Sequence, residues 1–197
     1  MRALQKGIIF GVLGVIMSSI TLLNAKEEAS LYHHFQDSSL VRQTLVFSIP
    51  GGPVLVPIDK QGVSSLISEI LAEGPTGMTK QEFLDQLFIY TAGISFGASE
   101  RHFQIVVETL PDHIEPVLLL LKKILDQPKF QVSVFNDNHQ RLVENRKLMN
   151  NNMRAVTFYA APRLAFNYHA SVLDGTGSLK TITPLKLKDV KEYYPKY

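Results

Sequence analysis

His33 and His34 are the only adjacent histidines in the chain, and two imidazoles can begin a metal shell. No acid and no third histidine follows at a ligand spacing, so the pair reads as part of an exposed N-terminal segment. Ser64 and Ser65 are candidate nucleophiles by type. They fall inside an apolar-periodic helix, however, and not on a strand-to-helix elbow, and no Ser/His/Asp set stands out. Asp174-Gly175-Thr176-Gly177 offers glycines but lacks the Gly-Lys-Ser/Thr ending of a phosphate loop and the helix that should follow it. With no cysteine, disulfides and thiolate sites are excluded. Arg141, Arg146, Lys147 and Arg154 make a modestly basic region, which reads as a solvated face.

The elements that would position these groups follow from periodicity. Leu40–Ile49 reads as a strand closed by Pro50-Gly51-Gly52-Pro53. Within residues 62–74, Val63, Leu66, Ile67, Ile70 and Leu71 form one apolar stripe at helical spacing. Thr79 and Glu82 are spaced as a capping box for a second helix carrying Phe83, Leu84, Leu87 and Phe88. Ile94–Ala98 and His102–Glu108 read as antiparallel strands, with Phe103, Ile105 and Val107 on one side. Asp112 with Glu115 predicts another capped helix, which Gln127-Pro128 stops. Phe135–Met149 reads as a longer, polar helix. Met153–Tyr168 reads as a further helix, anchored by Phe158, Leu164 and Phe166 and kinked or divided at Pro162. A short helix ends at Tyr193-Tyr194-Pro195. This order predicts an α+β domain, helices packed on a mostly antiparallel sheet, with no internal repeat.

Met1–Ala25 has a basic start (Arg2, Lys6), an apolar run over Gly7–Leu23 and a small-residue ending at Leu23-Asn24-Ala25, the parts of a cleaved secretory signal. The alternative is an uncleaved membrane anchor, since the run lies at the lower edge of spanning length; on either reading the folded part is exported. The division expected is therefore a signal over 1–25, an N-terminal segment over 26–39 and a domain over 40–197. The formal charge of +2 falls to zero once Arg2 and Lys6 are removed. A neutral chain gives no electrostatic reason to bind nucleic acid.

Several short patterns, in shared order, resemble the pitrilysin/insulinase family of zinc metallopeptidases. They are Gly74-Pro75-Thr76 after the first helix, Gly93-Ile94-Ser95-Phe96-Gly97-Ala98 after the second, the corner Leu125-Asp126-Gln127-Pro128-Lys129-Phe130, and Ser178–Ile182 followed by Leu187–Tyr194. In the family's catalytic repeat the first helix carries an inverted zinc motif, His-x-x-Glu-His. Aligning Leu71 and Gly74 with the end of that helix puts Ser65, Ser68 and Glu69 at the three motif positions. Glu144 falls near the place of the family's third ligand, where its other reading is a solvated helix carboxylate beside Arg141 and Lys147. His169 stands where the family often has a His-Pro pair, and is read as loop architecture.

Two hydroxyls and one carboxylate cannot make a peptidase zinc site, so the resemblance implies a catalytically silent repeat with no cofactor of its own. It also implies a partner: an active subunit or repeat that carries the zinc, the two enclosing a chamber that holds peptide. The arginine and tyrosine that silent repeats often supply to substrate would lie beyond Tyr197, as would the closing strands, so the chain is expected to be an incomplete repeat. The rival expectations are a stand-alone exported binding or scaffold protein and a non-functional fragment. Membrane contact is expected only if the signal is retained.

Overall fold

The computed structural model describes residues 41–99, 101–167 and 175–196. The signal, the 26–39 segment, Leu40, His33-His34, Glu100, Tyr168-His169, Asp174 and Tyr197 lie outside the described residues. In chain order the elements are β1 (Gln43–Pro50), two 3-10 turns (Gly52–Leu55 and Ile58–Lys60), α1 (Val63–Leu71), α2 (Lys80–Ile89), β2 (Gly93–Ala98) and β3 (His102–Thr109). A 3-10 turn at Pro111–His113 then leads into α3 (Ile114–Asp126), α4 (Val132–Asn150), α5 (Met153–Ala165), α6 (Leu179–Ile182) and α7 (Leu187–Tyr193).

The sheet has β3 in its centre, antiparallel to both β1 and β2. Strand alternation places Phe103, Ile105 and Val107 on one face. The register sets Ile49, Phe47 and Leu45 beside them from β1, and Ala98, Phe96 and Ile94 from β2. This nine-residue apolar face joins a single core with the stripe of α1, whose Val63, Leu66, Ile67, Ile70 and Leu71 are all fully enclosed. Each such side chain contributes roughly 1.5–3 kcal/mol of burial. Helix α1 is thus the hub, touching α4, α7 and β2. The architecture is the α+β arrangement expected, with helices on an antiparallel sheet.

Two backbone positions let the chain approach α1 closely. Gly62, the residue before the helix, has φ 109°, and a side chain there would run into Ile182. Gly177, at φ 72°, lies so close to the Gln61 carbonyl that no Cβ fits. Gln61, itself buried, donates from Nε2 to the carbonyls of Pro53 (2.9 Å) and Val56 (2.8 Å) and fixes the approach to α1.

The box at the start of α2 forms as the spacing predicts: Glu82 N–H donates to Thr79 Oγ1 and Thr79 N–H to the Glu82 carboxylate. The one expected for α3 does not. Pro111 opens a 3-10 turn that swallows Asp112 and leaves His113 as the residue before the helix, without a side-chain cap. His113 Nδ1 lies 2.9 Å from the Tyr90 carbonyl instead. Two further corrections fall on α5. Phe158, Leu164 and Phe166 are largely exposed and anchor nothing, because the inward side of this helix carries Tyr159 and Arg163. Pro162 sits inside the helix without dividing it. Helix α4 begins three residues before Phe135, at Val132.

Candidate functional site

Helix α1 buries its apolar stripe, so its remaining positions decide what it can do chemically. Ser65 is half-buried, and its Oγ donates to the Gly175 carbonyl at 3.0 Å. Ser68 is buried and turned onto its own helix, donating to the Ser64 carbonyl at 3.1 Å. Of the three, Glu69 alone faces solvent with its ionisable group. Its carboxylate accepts from Arg141, which reaches across from α4 at 3.2 Å. The same guanidinium lies 3.6 Å from Glu73 and donates to Asn138 Oδ1. Glu144, exposed one turn further along α4, accepts from Gln140 Nε2 at 2.8 Å. Among the described residues no hydrogen bond or ion pair joins Glu144 to Ser65, Ser68 or Glu69. Nor does any group of three or more His, Asp or Glu side chains stand together as metal ligands.

The C-terminal end of α1 is a second, structural site, built from the patterns that carried the family resemblance. Thr76 N–H donates to the Gln127 carbonyl at 2.7 Å and Thr76 Oγ1 to the Pro128 carbonyl at 3.0 Å. Lys129 is buried and donates to the Glu73 carbonyl at 2.6 Å; burial holds its ammonium below the usual lysine range. Lys80 donates to the Ala72 carbonyl. Two ammonium groups therefore meet the unpaired carbonyls at the negative end of the helix. Tyr194 Oη donates to the Leu125 carbonyl at 2.6 Å, its ring edge-on to Phe130, and burial raises its pKa to about 12. These patterns knit the fold together.

Just before α1, Lys60 gives its ammonium to the Asp189 carboxylate at 2.9 Å, and the same carboxylate caps α7 at Lys186 N–H. Burial raises the carboxyl pKa, but the bonds from Lys60 and Lys186 outweigh it and hold the group below the usual carboxylate range.

One residue escaped the sequence reading. Arg146, counted there with a solvated basic region, is buried at 9% exposure. Its guanidinium lies over the ring of Tyr159 at 4.7 Å, and Nη1 donates to Thr176 Oγ1 at 3.4 Å. Spacing along α4 carried no signal for this, because the cover comes from α5 and the turn before α6.

No protein-family model matches the chain, and no curated protein matches its sequence. Solved structures do match. A protease from Helicobacter pylori superposes with a TM-score of 0.72 at 15% identity, covering 79% of this chain and 38% of that one. A peptidase M16 inactive domain from Pseudomonas fluorescens gives 0.70 at 18% identity, with 79% and 38% covered. A conserved protein from Enterococcus faecalis V583 gives 0.66 at 16% identity, with 79% and 40% covered. The chain therefore has the fold of M16 peptidase-like domains and spans about two fifths of the length of these neighbours.

The zinc of the family's catalytic repeat can be tested against the residues at the aligned positions here. At the three aligned positions of α1 stand two hydroxyls already bonded to carbonyls and a carboxylate already paired with a guanidinium. Four-coordinate zinc takes imidazole, thiolate or carboxylate ligands. Among the described residues, these three do not fit the metal.

Proposed function

We propose that this chain is a catalytically silent, exported peptidase-like domain that pairs with a zinc-bearing partner, the two enclosing peptide substrate between them. Ser65, Ser68 and Glu69, with Glu144, are the degenerate counterparts of the partner's metal-binding positions. The observation that carries the reading is the chemistry at the three aligned positions of α1: Ser65 and Ser68 donate to carbonyls, and the Glu69 carboxylate accepts from Arg141 of α4. Supporting it, one structural neighbour is described as an M16 inactive domain. The zinc of the assembled enzyme would reside in the partner alone, and the silent domain would contribute walls and contacts.

The reading is tested by reconstitution. A peptidase-like protein that carries the His-x-x-Glu-His motif is purified alone and together with this chain, and hydrolysis of a peptide mixture is followed. Co-elution with a clear gain in hydrolysis is expected, and no hydrolysis by this chain alone. A chain that stays monomeric beside that protein and leaves its rate unchanged would count against pairing and favour a stand-alone binding role.

A further inference from the structure

Helix α5 has the composition of a buried helix and none of the burial. Of its 13 residues only Arg154 and Arg163 are charged, and not one is buried. We propose that its outer face lies on an anionic phospholipid bilayer. Phe158 and Leu164 enter the headgroup boundary there, and Arg154 and Lys147 meet lipid phosphates. This inference does not rest on the pairing proposed above.

Helical spacing defines the face. Tyr159, Ala160 and Arg163 are half-buried and line the cavity between α5 and α4. Met153, Phe158, Ala161, Leu164 and Ala165 stand on the opposite side of the helix, all of them exposed. Met153 is 84% exposed, Phe158 70% and Leu164 65%. A helix that is apolar all round is ordinarily enclosed, so this side calls for a cover.

The charge pattern says which cover fits. Residues 145–173 hold four basic residues and no acidic one, whereas the rest of 26–197 holds 14 basic and 18 acidic. A chain that is neutral as a whole is thus polarised, with its positive part around α5. Arg154 and Lys147 are exposed, and among the described residues no carboxylate pairs with either. The Arg154 guanidinium lies 5.8 Å from the centre of the Phe158 ring, so cation and aromatic share one surface. A second copy suits this face poorly, because a twofold contact sets like cations against each other. An anionic bilayer answers both features: phosphates take the cations, and the acyl boundary takes the apolar side chains. At about 20 Å, α5 is too short for a hydrocarbon core of roughly 30 Å. No helix among the described residues is long and apolar enough to cross a membrane. The helix lies along the surface, not through it.

Vesicle flotation tests the assignment with the chain as exported, beginning at Lys26, so that the apolar run of the signal plays no part. One vesicle is phosphatidylcholine alone; the other is one third phosphatidylglycerol. Binding to the anionic vesicle is expected to be at least about tenfold tighter and to weaken several-fold in about 0.5 M salt. Phe158→Ser combined with Leu164→Ser, both at exposed positions, should weaken it at least about tenfold. Lys147→Glu combined with Arg154→Glu should erase the preference for anionic lipid. Equal binding to the two vesicles, unchanged binding by the serine variant, or no binding to either vesicle would overturn the assignment. So would a dimer in sedimentation that the serine variant splits, which would give the face to a second copy. Loss of co-elution with the His-x-x-Glu-His protein in the serine variant would likewise overturn it, and give the face to a protein partner.

Discussion

Arg141 and Arg146 project from the same helix, yet they live in opposite electrostatic worlds. Arg141 is half exposed and has two carboxylates and an amide oxygen around it. Arg146 is enclosed, with an aromatic face, one hydroxyl and an Nε that bonds nothing. A charge in water needs no partner and gains little from one, whereas a charge out of water needs one badly. The well-furnished arginine is therefore the dispensable one for stability. The poorly furnished arginine carries an energetic deficit.

The comparison can be sharpened by substitutions read out as chemical denaturation, taken here from the largest expected effect. Leu66→Ala, on the enclosed stripe of α1, should cost about 2–5 kcal/mol, because the packing of this helix and not the Arg141–Glu69 bridge holds it in place. Arg146→Met should be neutral or stabilise by up to about 1–4 kcal/mol, since an apolar chain of similar length removes an unmet buried charge. A large loss instead would mean that the guanidinium is satisfied in solution. Asp189→Asn provides the matched case of a buried charge that does have its partner, Lys60, and should cost about 1.5–3 kcal/mol.

That pair also sets a pH dependence. Because the folded Asp189 pKa is lowered, its contribution is fully present above the unfolded value of about 3.9 and is lost as pH falls through the folded value below it. The Asp189→Asn variant should lose part of the acid sensitivity of unfolding below about pH 4. The smallest effect is expected for Arg141→Ala, under about 1 kcal/mol and smaller still in high salt.

Much of the fold was legible because the deciding information is local. The α1 stripe, the Thr79–Glu82 box and the alternation of Phe103, Ile105 and Val107 each lie within a few residues, and each element formed where its pattern stands. The errors share a cause of the opposite kind. Asp112 and Glu115 have the spacing of a cap, but Pro111 shifts the start of the helix past them. Phe158, Leu164 and Phe166 are apolar, yet which side of α5 is covered depends on the turn at 175–178 and on α4, which α5's own sequence does not encode. Arg146 was misplaced for the same reason. At the α1 surface the residue types could be read directly. The engagement of Glu69 by Arg141, 72 positions away, could not.

The account depends most on α1 offering no metal site. The direct measurement is elemental analysis of the purified chain after equilibration with a small excess of zinc and removal of the unbound metal. The account predicts well below one zinc per chain, and no change on replacing Glu69 with glutamine. One tightly held zinc per chain, lost in the Glu69→Gln variant, would contradict it.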